Sequence, residues 1–337
     1  MMTVMRSESG MSTNGDPTDP ESLGHIQRLL LAWYGANARD LPWRHTRDPY
    51  AILVSEIMLQ QIQVVRAITF YLAFMARFPT VESLARASVS DVIHVWCDLG
   101  RYKRITSLHT TARRIVTDFG GIVPADVAVL QTLPGIGPYT AGAVACFAYG
   151  KDVGFLDTNA RRVIHRVFVG CDVPAATASM RRLQGLASQV VPSGQGWSWN
   201  QAVIELGALT CTARRPKCAA CHIQEHCAAR ATIADAVSQR LTSPRGVVRR
   251  VGDGQNRLYR GRILAELRAE SAGVHLRDLG GRLRPGFTDE DVPWIAGVVE
   301  SLRKDGLAFI EEERSLYSAE SVDPTADAGS RMVRLPD

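Results

Sequence analysis

Apolar residues recur every three or four positions along most of residues 25–230, and this period predicts amphipathic helices. The first predicted helix begins near His25, and its apolar side chains share one face. Further helices are predicted over residues 48–64, 67–78, 81–87, 90–99, 105–119 and 125–130. No segment here alternates apolar and polar residues as a half-buried strand would, so we predict a mainly α fold.

One predicted helix, residues 48–64, is apolar on nearly every face and still contains a carboxylate, Glu56. Asp48 can cap this helix and Pro49 fits its first turn. A carboxyl group in apolar surroundings has a raised pKa and can hold a proton near neutral pH. Gln60 and Gln63 follow Glu56 at i+4 and i+7, on the same helix face. The segment predicts an acid in a pocket with amides at its mouth, although a lone Glu is more often paired or solvated.

Composition narrows the class of protein. The 337 residues carry a formal net charge of +5, which permits a polyanionic partner. No run approaches a membrane span, and residues 1–24 are polar and are predicted to form a disordered leader. Seven cysteines, four of them within residues 211–227, indicate a reducing, cytoplasmic compartment and a metal site rather than disulfides.

A tight turn with the sequence LPGIG, residues 133–137, separates a short helix from a helix that begins at Pro138. Gly135 and Gly137 allow backbone conformations that other residues avoid, and the turn would direct N–H groups and a helix N-terminus at one point. Such a helix-hairpin-helix suits a phosphate of nucleic acid, which it would position without reading the base. The alternative is an ordinary turn between helices.

Asp157 follows an apolar pair of residues and precedes a helical run. It could be only an N-cap, but a helix end also keeps a capping carboxylate ionised, and such a group can be functional. A protonated carboxyl at Glu56 and an ionised one at Asp157 would suit cleavage of a glycosidic bond. The acid would protonate the leaving group and the anion would stabilise the oxocarbenium-like sugar.

Four cysteines have the spacing C-x6-C-x2-C-x5-C, at Cys211, Cys218, Cys221 and Cys227. Thiols so closely spaced suit either a [4Fe–4S] cluster or a tetrahedral zinc ion, and the spacing alone leaves both open. The first loop between them carries three basic residues, Arg214, Arg215 and Lys217. These are predicted phosphate contacts, with a solvated charged loop as the alternative.

Residues 25–229 resemble the helix-hairpin-helix DNA glycosylases of the endonuclease III superfamily, and most of all the MutY adenine glycosylases. The matching segments, in the family's order, are LPWR, SEIMLQQIQV, RFPTVESLA, LPGIGPYTAGA, LDTN and the four-cysteine spacing. The resemblance implies two helical lobes with a DNA cleft between them, and a [4Fe–4S] cluster rather than zinc. It implies a base-excision-repair enzyme that removes adenine mispaired with guanine or 8-oxoguanine from double-stranded DNA. We expect a monomer.

Carried over by position, the resemblance implies that Glu56 is the general acid and that Asp157 stabilises the sugar cation. Tyr139 and Asn159 are implied to assist them. Relatives that cleave the strand have a lysine at the position of Tyr139, so the resemblance implies a monofunctional enzyme. DNA contacts are also expected at Gln60, Gln61, Arg101, Tyr102, Gly135 and Gly137, with Gln61 inserted into the base stack.

Three positions depart from the MutY pattern. Ile62 replaces a threonine, Arg101 replaces a tyrosine that wedges beside the oxidised guanine, and Thr158 replaces a glycine. The usual Nudix-like C-terminal domain is also not evident. These departures put the opposite-base preference in question. The main alternative is a G·T or G·U mismatch thymine/uracil glycosylase, and a second is a non-catalytic iron–sulfur DNA-binding protein.

After the cysteines, residues 231–256 are predicted to be a basic linker and residues 257–318 a small α+β module. Helices over 257–270, 275–283 and 289–304, then strands over 307–310 and 315–317, resemble a winged helix. Acidic residues begin its third helix and lie in its hairpin, where they would repel phosphates. We therefore expect a packing or partner-binding module rather than a DNA reader, and a disordered tail over 319–337.

Overall fold

The structure is a computed structural model that describes residues 17–60, 62–96, 99–242, 253–311 and 328–337. Contacts divide the chain into a first unit, residues 1–40 with 141–245, and a second unit, residues 41–140 with 246–337. Among the described residues no strand precedes Val274, which confirms the predicted helical character of that part. None of the described helices is both long and apolar enough to cross a membrane.

The chain is built mainly from helices joined by short connections. They are α1 (Pro20–Asn37), α2 (Pro49–Leu59), α3 (Val64–Arg77), α4 (Val81–Arg86), α5 (Val89–Trp96), α6 (Lys103–Phe119), α7 (Val127–Leu130), α8 (Pro138–Phe147), α9 (Thr158–Phe168), α10 (Met180–Gln189), α11 (Gly196–Leu209), α12 (Ile233–Thr242), α13 (Asp253–Ala269), α14 (Leu276–Leu283) and α15 (Val292–Lys304). The strands are β1 (Val274–His275), β2 (Phe309–Ile310) and β3 (Met332–Arg334).

The first unit packs α1, α9 and α11 around one apolar core. Its buried side chains include Ile26, Leu30, Trp33, Val163, Ile164, Trp199 and Leu206. Helix α1 begins at Pro20, before the predicted start at His25, because Asp19 caps it by accepting the N–H groups of Glu21 and Ser22. The prediction of a disordered leader over residues 1–24 therefore fails for this helical turn, and residues 1–16 lie outside the described residues.

The second unit is organised on α2, whose residues 50–58 are all buried. Asp48 caps the helix by accepting the N–H of Tyr50, as predicted. The helix ends at Leu59 rather than near residue 64, because Gln60 adopts an extended conformation and Gln63 already precedes α3. The single helix face predicted for Glu56, Gln60 and Gln63 is therefore not formed.

The C-terminal part of the second unit is a three-helix segment with a small antiparallel sheet. The strand order is β1-β3-β2, with Val274 opposite Val333 and Phe309 opposite Arg334. Val333 is fully buried in the central strand, so the disordered tail predicted over 319–337 does not hold for residues 328–337. The strand predicted over residues 315–317 lies outside the described residues. Part of the predicted linker forms α12, and residues 243–252 are not described.

Candidate active site and cysteine centre

Glu56 lies on α2, is 4% exposed and has apolar neighbours along its helix. Tyr139, in the first turn of α8, donates a hydrogen bond from its hydroxyl to Glu56 Oε2 at 2.5 Å. A hydrogen bond this short is typical of a hydroxyl that donates to a carboxylate. The structure thus brings together two of the predicted catalytic residues within the second unit, and it fixes the orientation of the buried carboxyl group.

The end of α2 is held by polar contacts to two other helices. Gln60 donates from Nε2 to Thr140 Oγ1 at 3.4 Å, which ties it to the start of α8. Arg104 on α6 donates to the backbone carbonyl of Gln60. This contact satisfies a carbonyl that the end of the helix leaves without an intrahelical partner. Gln61, the predicted intercalating residue, lies outside the described residues.

The hairpin turn between α7 and α8 is anchored on α6. Thr111 donates from Oγ1 to the carbonyl of Pro134 at 2.8 Å, and Arg114 donates to that of Thr132 at 2.9 Å. Gly135 has φ +76°, and a Cβ there would lie 2.7 Å from the Cβ of Ser107. Gly137 has an ordinary φ and open space around it, so the predicted need for special backbone freedom holds for Gly135 alone.

The basic turn before α6 contains two consecutive left-handed residues, Gly100 at φ +68° and Arg101 at φ +52°. Trp96 Nε1 donates to the carbonyl of Gly100 at 3.0 Å and holds this turn. Arg101 is exposed, whereas Tyr102 is only 9% exposed and packs in the core. Among the predicted DNA contacts, Gln60, Arg101, Tyr102 and Gly135 line one cavity of about 920 Å³.

Asp157 and Asn159 meet in the first unit at the start of α9. Asp157 caps the helix through Oδ1, which accepts the N–H of Ala160 at 2.6 Å, and Oδ2 accepts from Asn159 Nδ2 at 3.1 Å. Burial raises the pKa of Asp157 above its ordinary value, and the hydrogen bonds from Ala160 and Asn159 oppose this shift only in part. The sequence analysis expected the helix end to keep Asp157 ionised. It did not take into account that burial raises the pKa of this carboxyl group.

Arg162 connects this carboxylate to the cysteine loop. Its Nη2 donates to Asn159 Oδ1 at 2.8 Å and to the carbonyl of Gly207 at 2.7 Å, and its Nε donates to the carbonyl of Cys211 at 2.7 Å. Gly207 is required here because a Cβ would lie 2.7 Å from that of Asn159. The sequence prediction missed Arg162 and Gly207. Arg162 could have been found from its i, i+3 spacing to Asn159 on the predicted helix, which places the two side chains side by side.

The four predicted metal-binding cysteines, Cys211, Cys218, Cys221 and Cys227, line one small cavity in the first unit. Arg166, which is 2% exposed, lies with Nη1 3.6 Å from the Cys211 sulfur and pairs with Asp172 at 2.6 Å. A buried cation beside a group of soft thiols fits a negatively charged iron–thiolate centre. The three basic residues of the loop, Arg214, Arg215 and Lys217, are exposed.

Burial governs the chemistry of these thiols. It raises the pKa of Cys211 and Cys221, and it raises that of Cys227 to about 12. Such thiols become thiolate ligands near neutral pH when a metal displaces their protons. In the part of the chain that the structure describes, no three His, Cys, Asp or Glu side chains lie close enough to hold a single ion.

Comparisons with known proteins agree with this geometry. Residues 54–189 match the family of HhH-GPD superfamily base excision DNA repair proteins. The chain is 43% identical to human adenine DNA glycosylase over 60% of this chain and 38% of that protein. It is 38% identical to the adenine DNA glycosylase of Mycolicibacterium smegmatis (strain ATCC 700084 / mc(2)155), over 82% of this chain and 90% of that one. A solved thermostable thymine-DNA glycosylase is similar with a TM-score of 0.58 and 31% identity, over 63% and 97% of the two chains.

The matched segment runs from α2 to α10 and contains both carboxylates, so fold and site together define a helix-hairpin-helix protein of base excision repair. Because the chain also covers nearly all of the mycobacterial relative, it belongs to the MutY-type adenine DNA glycosylase family within the HhH-GPD superfamily. It spans about two fifths of the length of the human relative.

We expect the two glycines of the hairpin to respond differently to alanine. Gly135→Ala should lower the free energy of unfolding by about 1–3 kcal/mol, because its left-handed backbone and its contact with Ser107 both disfavour a Cβ. Gly137→Ala should change it by less than about 0.5 kcal/mol and should weaken binding of duplex DNA if a phosphate approaches this backbone. Urea unfolding and a DNA-binding titration measure the two effects. Equal destabilisation by both substitutions would contradict this assignment.

Asp157→Asn should stabilise the protein at pH 7.5. The pKa of Asp157 is raised by folding, so ionisation costs free energy in the folded state only above the unfolded-state pKa of about 4. Asparagine can still cap α9 and avoids this cost. The gain should therefore shrink as the pH falls toward 4, as measured by urea unfolding at several pH values. Asp235→Asn, at an exposed position, is the control, and a less stable Asp157→Asn variant at pH 7.5 would refute the prediction.

Proposed function

We propose that this protein is a monofunctional DNA glycosylase that hydrolyses the N-glycosidic bond of adenine mispaired with guanine or 8-oxoguanine in double-stranded DNA. The observation that carries the proposal is the buried carboxyl of Glu56 held by the hydroxyl of Tyr139 at 2.5 Å. This pair lies in a chain that belongs to the adenine glycosylase family. It supplies an oriented proton donor, and position 139 carries a tyrosine rather than a lysine.

In this proposal the two carboxylates divide the reaction. The target adenine leaves the base stack, and Glu56 donates a proton to it as the glycosidic bond breaks. Tyr139 keeps the Glu56 carboxyl group in one orientation. Asp157, oriented by Asn159, stabilises the oxocarbenium-like sugar, and water completes the hydrolysis. Burial favours this role because the field of a carboxylate is stronger where water is excluded.

The residue at position 139 supports a monofunctional reaction. A bifunctional enzyme needs an amine that forms a Schiff base with the opened sugar. Tyr139 offers a hydroxyl instead, and that hydroxyl is engaged with Glu56. Water is therefore the proposed nucleophile, and the DNA strand stays intact after the base has left.

Further contacts to the backbone phosphates of DNA are proposed at two groups of residues. The hairpin turn at Gly135 and Gly137 offers backbone N–H groups, and the exposed Arg214, Arg215 and Lys217 offer charge. Gln60 and Arg101 are proposed to contact the duplex, since both line the cavity described above. Tyr102 is buried, so its part is to support this turn rather than to stack on a base.

Cys211, Cys218, Cys221 and Cys227 are proposed to hold a [4Fe–4S] cluster. When bound, the cluster would supply a rigid anchor for the loop that carries the three basic residues, which is a structural contribution. The order helix, strand, helix, helix, strand, strand of α13 to β3, with β3 central, supports a winged-helix assignment for the C-terminal part.

A thymine or uracil glycosylase acting on G·T and G·U mispairs is the second candidate. One observation favours it, the similarity of the fold to a thermostable thymine-DNA glycosylase at 31% identity. The greater identity to adenine glycosylases favours adenine as the target.

Metal analysis tests the cysteine centre. The purified protein should be brown, absorb broadly near ~400 nm and contain about four irons per chain, because four clustered thiolates are the ligand set of such a cluster. Cys221→Ser should lower the iron content, whereas replacing the separate Cys146 by serine should leave it unchanged. One zinc and no iron per chain would refute the cluster.

Base release from duplexes containing A·8-oxoG, A·G, T·G and U·G pairs tests the function. Adenine should be released, and Glu56→Gln should lower the single-turnover rate at least ~100-fold because the amide cannot donate the proton. Glu300→Gln, which alters an exposed ion pair with Arg303, is the control and should keep the wild-type rate.

Release of thymine or uracil with adenine left untouched would favour the second candidate and overturn the adenine proposal. Efficient trapping of the protein on DNA by borohydride would contradict the monofunctional assignment, because trapping requires a Schiff base.

A further inference from the structure

The cavity of about 920 Å³ in the second unit is lined by six cationic residues and, among its described lining residues, by no carboxylate. The cations are Arg66, Arg101, Lys103, Arg104, Arg257 and Arg260. Four of them come from the helical part before residue 140. Arg257 and Arg260 come from α13, far away in sequence. The C-terminal segment therefore forms one wall of a basic cavity, which the sequence did not predict.

Polar contacts hold α13 and its neighbours in this position. Asp305 accepts from Arg260 at 2.6 Å and lies 3.5 Å from Lys103, so it bridges α13 and α6. Ser90 donates its N–H to the carbonyl of Pro336 at 3.0 Å, and the His94 ring contacts the carbonyl of Arg268 at 3.2 Å. These contacts all lie within the second unit, so the cavity wall is part of its packing.

The lining of the cavity concentrates positive charge. Asp305 pairs with Arg260 and Lys103, and Arg101, Arg104 and Arg257 line the same cavity. Burial, and then the charges of Arg101 and Arg257, lower the pKa of Arg104. Like charges held this close repel one another, and a bound anion would relieve that repulsion.

Three of the acidic residues that argued against a DNA contact are paired with arginines. Asp289 pairs with Arg277 at 3.0 Å, Asp291 with Arg284 at 2.6 Å, and Glu311 with Arg334 at 2.9 Å. None of these carboxylates is among the described residues that line the cavity. Their charge is balanced within the C-terminal segment, so it does not oppose an anion at α13.

The lining favours phosphate over a stacked base. Tyr102 is the one aromatic residue among the described lining residues, and it is 9% exposed, which leaves little ring face for stacking. Guanidinium groups bind phosphate oxygens in pairs of parallel hydrogen bonds, and an arginine-rich wall suits a polyphosphate chain. Contacts of this kind position nucleic acid without reading its sequence.

We propose that α13 completes a binding pocket for backbone phosphates of duplex DNA, in which Arg257 acts together with Arg101 and Arg104. The C-terminal segment is then part of the DNA-binding surface rather than only a packing or partner-binding module. This inference rests on the proposed function in one respect: it takes duplex DNA as the ligand.

Titration of the full-length protein with a fully matched duplex at several salt concentrations tests the proposal. Arg257→Ala should weaken binding about 5- to 10-fold near 0.1 M salt and reduce the slope of log affinity against log salt by about one. The loss should be the same for matched and mispaired duplexes, since a phosphate contact carries no base information. Arg257→Lys should keep most of the affinity.

Arg262→Ala is the matched control, because Arg262 is exposed on the same helix and does not line the cavity. It should bind DNA like the wild type, and thermal unfolding should show that both alanine variants are folded. An unchanged affinity and salt slope in Arg257→Ala would overturn the proposal.

A titration with inorganic pyrophosphate tests whether the pocket binds a free phosphate compound instead of the phosphates of DNA. If pyrophosphate stabilised the wild type against unfolding but Arg257→Ala bound duplex DNA normally, the pocket would serve a free phosphate compound and the DNA assignment would fail. Binding to matched duplex does not depend on base excision. A wild-type protein that released no adenine would therefore contradict the proposed function and leave this inference standing.

Discussion

The arrangement of the first unit depends on one guanidinium group, that of Arg162. It holds the side chain of Asn159 and the carbonyls of Gly207 and Cys211, so three segments of the chain meet on it. Because Asn159 in turn donates to Asp157, one network of hydrogen bonds sets both the orientation of this partly buried carboxylate and the path of the cysteine loop. Burial lowers the pKa of Arg162, and this cost is offset by well-placed acceptors. Cysteine loop and carboxylate are therefore positioned together.

The second unit uses arginines in the same way. Arg104 donates to the carbonyl that ends α2, and Arg114 donates to a carbonyl of the hairpin turn. Arg166 of the first unit likewise donates to the carbonyl of Thr212. A carbonyl acceptor satisfies the donors of a guanidinium group without neutralising its charge, whereas a carboxylate would do both. Arg104, which holds the end of α2 through a carbonyl, therefore keeps its charge toward an anionic partner. Arg114 and Arg166 also pair with carboxylates, those of Asp118 and Asp172.

The sequence predicted the features that depend on interactions between residues close together in the chain. The caps Asp48 and Asp157, the end of α6 at Phe119 and the apolar character of α2 follow from neighbours within a few residues. The end of α2 was mispredicted because apolar residues recur at Ile62 and Val64, whereas the helix breaks at Gln60, whose carbonyl accepts from the distant Arg104. The strand β3 was missed because its three residues are too few to show an alternating period. Arg162 and the α13 wall depend on partners far away in sequence, which no periodicity encodes.

The unfavourable features of this structure collect at the candidate sites. Asp157 is partly buried although ionisation then costs free energy, Arg101 has a left-handed backbone, and Arg104 lies among like charges. Residues that serve only the fold, such as Trp96 or Val333, show no such conflict. A charged ligand would offset each of these free-energy costs. A cationic sugar would favour the ionised form of Asp157, and phosphates would relieve the repulsion among the arginines. A protein that stored these costs for packing alone would gain stability by losing them, so the crowding of arginines within the second unit supports the proposed phosphate pocket.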